Sequence, residues 1–90
     1  MNPLLKSLAH MSKHDRFGVF LSNHHLLNIQ PEKTQQALKS LFPERNCFEI
    51  MAMFQQGKHF MVREGRLGSL DTYAARLFSQ GFQVDILPVD

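Results

Sequence analysis

The residues with chemistry to offer are five histidines, one cysteine and a basic turn flanked by glycines. His10 and His14 stand four positions apart, the spacing that lets two imidazoles on one helix face share a metal. No Cys, Asp or Glu motif supplies the remaining ligands, so the pair reads as solvated or surface-packed histidines and no metal site is expected. His24 and His25 are adjacent, point in different directions if extended, and are explained by a turn. Cys47 heads an apolar stretch with no base evident beside it, which describes a buried structural thiol and not a nucleophile. Gly65-Arg66-Leu67-Gly68-Ser69 precedes a helix, and its N-terminus could cradle a small anion with Lys58, Arg63, Arg66 and Ser69 as contacts. A turn into a capped helix needs only the same glycines and Ser69. These groups assemble no reaction: no catalytic residue and no cofactor is expected, and the protein reads as a non-enzyme.

The elements that must position these groups fit into 90 residues. A chain of that length makes one small domain, expected to span residues 1–90, able to bury roughly 60 to 65% of its unfolded surface and so to fold without staples. Ten Lys+Arg against eight Asp+Glu give a formal charge of +2, too small an excess to mark a nucleic-acid-binding composition. A single cysteine excludes an internal disulfide and favours a reducing compartment, hence a cytoplasmic location. No apolar run approaches the ~20 residues of a spanning helix, and Leu4 to Met11 is broken by Lys6 and His10, so neither membrane insertion nor a signal peptide is expected.

Asn2 as N-cap and Pro3 at the first helical position open a short amphipathic helix over 1–14, with Leu4, Leu5, Leu8 and Met11 on its apolar stripe. Residues 16–90 then form the core. Phe17 to Ser22 predicts a strand with Phe17, Val19 and Leu21 inward. Leu26 to Gln30 is either an extended connection or a returning strand. Pro31 starts a helix that Pro43 must end, with Ala37, Leu38, Leu41 and Phe42 on its stripe. Phe48, Ile50, Ala52 and Phe54 alternate with Glu49, Met51, Met53 and Gln55, predicting a strand. A three-residue loop at Gln56-Gly57-Lys58 folds it into a hairpin that pairs Phe54 with Phe60, Met53 with Met61 and Ala52 with Val62. Ser69 is expected to cap a helix buried through Leu70, Ala74, Leu77 and Phe78, and Gly81 to follow its end. Phe82, Val84 and Ile86 alternate inward along a last strand that Pro88 stops. The resulting order predicts an α+β, ferredoxin-like (split βαβ) fold: a four-stranded antiparallel sheet with two helices on one face, plus the N-terminal helix.

The sheet face away from those helices gathers Phe20, Met51, Met53, His59, Met61 and Leu87, with Arg63, Glu49, Gln55, Gln83 and Asp85 as a polar frame. That is too apolar for open water. Either the N-terminal helix folds back over it, or it contacts a protein partner or a second copy through this face or the adjacent sheet edge, the methionines supplying adaptable packing, or it binds nucleic acid.

The last reading has a specific basis. Val19-Phe20-Leu21-Ser22-Asn23 resembles the first-strand signature of an RNA recognition motif, and Gly57 and Phe60 fall where that family's third-strand motif has a glycine and an aromatic. The resemblance implies base stacking on Phe20. It departs from the family where Lys58 occupies an aromatic position, Arg63 stands in place of a large apolar residue, and the hairpin register turns Phe60 inward. The sequence therefore points first to a non-catalytic protein-interaction module working through Phe20, Met51, Met53, His59, Met61 and Arg63. Single-stranded RNA binding on the same face is the alternative, and anion binding at Gly65–Ser69 the third choice.

Overall fold

The computed structural model describes residues 16–89. The expected N-terminal helix over 1–14, its role as a lid, and His10 and His14 all lie outside that range. The described elements are β1 (Phe17–His24), α1 (Pro31–Leu41), α2 (Cys47–Gln55), β2 (Phe60–Gly65), α3 (Leu67–Ser79) and β3 (Phe82–Pro88). The fold is α+β, with three helices and a three-stranded antiparallel sheet of order β2-β1-β3.

This overturns the four-stranded ferredoxin-like sheet at one stretch, residues 47–55, which are helical. Asn46 caps α2, its side-chain oxygen accepting from the backbone N–H of Phe48 (3.0 Å) and Glu49 (3.4 Å). Cys47, Ile50 and Phe54 then fall on one stripe and are buried, with Met51 packed against the same cluster. Phe48, inward in the strand reading, is 61% exposed. The expected pairs Phe54–Phe60, Ala52–Val62 and Met53–Met61 therefore do not exist. Gly57 does take a positive φ of 74°, but as the residue after a helix. Its N–H donates to the Phe54 carbonyl (3.0 Å) and the N–H of Lys58 to that of Met53 (2.9 Å), the paired bonds that close a helix on glycine.

Two smaller expectations also change. Residues 25–29 are turns, not a strand: Leu27 N–H bonds the His24 carbonyl (3.0 Å) and Gln30 N–H that of Leu26 (2.8 Å). α3 begins at Leu67 with Arg66 as its N-cap and no side-chain cap. Ser69 lies inside the first turn, its hydroxyl donating to the Arg66 carbonyl at 2.8 Å. Gly81 stands at the position after α3 with φ 94°, where an L side chain is strained.

Both ladders run through β1. Pairing of Val19 with Arg63 and Phe20 with Met61 leaves Val62 as an extra residue on β2, while pairing of Leu21 with Val84 and Asn23 with Gln83 leaves Ser22 extra on β1. On one face Phe17, Val19 and Leu21 meet Val84, Ile86, Phe60 and Val62 under α2 and α3, and with Leu38, Ile50, Phe54, Leu70 and Leu77 they make the core. The other face carries Gly18 and Phe20 of β1, Met61 and Glu64 of β2, and Gln83, Asp85 and Leu87 of β3.

Candidate functional site

The face that no helix among the described residues covers has an apolar centre. Phe20 is half-buried, with its ring 4.7 Å from that of His59. Met61, its cross-strand partner, is 41% exposed, and Leu87, opposite Gly18, is 38% exposed. A glycine at position 18 lets these groups converge: a Cβ there would lie 2.8 Å from the Met61 sulfur and 3.0 Å from both the Phe20 ring and the Val89 side chain. The rim is mixed in charge. Glu64 accepts from Arg16 at 3.1 Å, and Asp85 stands exposed directly across from Phe20.

Of the face predicted from sequence, the structure brings together Phe20, His59 and Met61. Met51 and Met53 sit on α2 instead, where Met51 packs on the core. Arg63 pairs with Val19 and so leans to the helix side, its guanidinium 4.1 Å from the centre of the Tyr73 ring. Phe60 also faces the helices, edge-on to Phe42 at 6.2 Å and beneath the Arg45 guanidinium at 5.0 Å. Base stacking in the manner of an RNA recognition motif would thus have Phe20 alone among these aromatics.

The proposed anion contacts are not gathered at one point. Lys58 precedes the six residues of β2 and Arg66 follows them, which at ~3.3 Å per residue puts about 20 Å between the two. Arg63 is engaged with Tyr73, and the Ser69 hydroxyl with the Arg66 carbonyl.

Sequence reasoning missed a second constellation, at the end where β1, α1 and β3 meet. His24 is 4% exposed. Its Nε2 lies 3.0 Å from the Gln80 carbonyl and its Nδ1 2.6 Å from the hydroxyl of Thr34, which is itself buried in α1. A carbonyl only accepts, so Nε2 carries the proton; Nδ1 of the neutral ring then accepts from the Thr34 hydroxyl. Burial pushes the His24 pKa below its usual 6.5 and neighbouring His25 adds to this, against an opposing effect of the Gln80 bond. The ring packs on Phe82 at 4.6 Å and edge-on to His25 at 4.8 Å. An open cavity of about 280 Å³ adjoins it, lined by Asn23, His25, Phe78, Gly81 and Gln83 as well. His24 takes an inward position at the end of β1, where it pairs with Phe82. The extra residue at Ser22 hides this from simple alternation.

Cys47 is buried at the start of α2. Among the described residues no helix is long and apolar enough to cross a membrane. No family model, curated protein or solved structure matches this chain.

Proposed function

We propose that the protein is a non-catalytic interaction module that takes a partner polypeptide on its open sheet face. The observation carrying this is the convergence of Phe20, Met61 and Leu87 on the side of the sheet away from α2 and α3. A patch of aromatic, thioether and aliphatic groups inside a polar rim is the composition of a protein contact surface. Asp85 on the same face opposes the approach of phosphates, and Glu64 offsets the charge of Arg16, which favours a polypeptide over RNA. A cytoplasmic setting belongs to this reading, since a buried, unpaired Cys47 suits a reducing compartment.

The test is a photo-crosslinker installed at position 61 in cells, with the same group at exposed Gln36 on α1 as control. The expected result is a polypeptide adduct at 61 that is absent at 36. An adduct with RNA would overturn the reading, as would tight, salt-sensitive oligonucleotide binding in vitro that Phe20→Ala abolishes.

A further inference from the structure

The two edges of the sheet are built differently. β2 carries the bulge at Val62, has the adjacent charges Arg63 and Glu64, and begins under Phe42 and Arg45. Bulges and charges are the usual devices that keep an edge from pairing. β3 is less guarded: it has no bulge of its own, the extra residue of that ladder lies on β1, and Asp85 is its single charge, with Pro88 at its last position.

The direction of its free backbone groups can be read. Val89 N–H donates to the Arg16 carbonyl (3.2 Å), and the Gly81 carbonyl accepts from His25 N–H (2.9 Å). Odd-numbered residues of β3 thus turn their polar groups to β1, and Phe82, Val84 and Ile86 turn theirs outward. Pro88 also falls on the outward side, where it has no N–H to offer. Among the described residues no strand pairs with this edge.

We propose that a second copy of this chain pairs with it, β3 against β3, antiparallel and centred on Val84, to give one six-stranded sheet. The register follows from chemistry. Centring on Asp85 would set carboxylate against carboxylate, which is destabilising across a ladder. Centring on Ile86 would put Val84 opposite Pro88 and lose a donor. Centring on Val84 places Phe82 opposite Ile86 and Gln83 opposite Asp85, uses only outward residues that have an N–H, and ends the ladder before Pro88. The symmetry is that of an isologous dimer. Both open faces then lie on the same side of one continuous sheet, so the pairing goes beyond the proposed reading of that face without depending on what the face binds.

Gln83 and Asp85 are exposed, so the test substitutions fall where folding does not need them. Sedimentation should show a concentration-dependent dimer, weakened about tenfold by Gln83→Asp and strengthened by a similar factor by Gln83→Lys. Under mild oxidation, a mixture of Gln83→Cys and Asp85→Cys proteins should form an interchain disulfide that neither forms alone. Crosslinking by Asp85→Cys alone would overturn the register. A dimer that dissociates on Met61→Ser yet ignores Gln83→Asp would overturn the edge as the contact. A monomer at every concentration would overturn the pairing altogether; if its crosslinker at position 61 still captured a polypeptide, the face reading would stand by itself.

Discussion

The two faces of the sheet use the same strands for opposite ends. On the covered face, Val19 and Leu21 are fully enclosed by α2, α3 and their neighbours, and their value lies in close packing. On the open face, Phe20 lies between those two residues in sequence, yet it meets His59, Met61 and a ring of charge. One step along the chain separates a residue enclosed in the core from one left half-buried among the described residues. The lesson is that on this sheet strand parity divides enclosed positions from exposed ones, so if the open face serves the proposed contact, substitutions can address one and spare the other.

The sharpest way to break that division is through the core. Leu38→Ala in α1 should cost about 2–5 kcal/mol by denaturant unfolding, since its site is fully enclosed and a cavity would remain. Thr34→Val should cost about 1–3 kcal/mol, because it removes the hydroxyl that donates to His24 Nδ1 and leaves a buried acceptor with only a long contact to Leu26 N–H at 3.4 Å. The same histidine gives the covered side a pH dependence. With its folded pKa below 6.5, the unfolded chain takes up the proton first. His24 therefore contributes fully above about pH 6.5 and loses that contribution as the pH falls from there through the folded value. Unfolding curves at stepped pH should show this decline, and His24→Phe should remove it.

Smaller effects sharpen the comparison from both sides. Asn46→Ala should cost about 1 kcal/mol by freeing the first N–H groups of α2. Met61→Ser on the open face should change stability by no more than about 0.5 kcal/mol while abolishing partner capture. A large loss of stability there would mean that Met61 belongs to the fold after all.

How far the sequence speaks for itself differs between these parts. The strands near 17–22, 60–63 and 82–88 and the helices near 31–42 and 69–79 were legible as elements, because alternation or a helical stripe was bounded by Pro31, Pro43, Gly81 and Pro88, but β1 runs on to His24 and α3 starts two residues before the expected Ser69 cap. Residues 47–55 were not, because nearly every position is apolar and satisfies both periods: Phe48, Ile50 and Phe54 fit a strand face, while Cys47, Ile50, Met51 and Phe54 fit a helix face. What decides it is local. Asn46 caps, Met and Ala favour helix, and Gly57 closes the end. The open face was half legible for the same reason: Phe20 and Met61 lie where alternation put them, whereas Arg63 turns to the helix side behind the bulge at Val62 and Met51 and Met53 were assigned to a strand that does not form. The His24–Thr34 pair was invisible because it joins residues from different elements across a bulge.

Placing β1 in the middle of the sheet has a kinetic consequence. Neither ladder is a hairpin: β1 must find β2 across two helices, and β3 from almost the far end of the described chain, with Phe17 opposite Pro88. Each closure costs loop entropy before any cross-strand bond repays it. Helices, which form locally and in well under a millisecond, would come first, with the sheet assembling late around a strand made early. Slow, single-phase refolding should follow, set by the search for long-range partners.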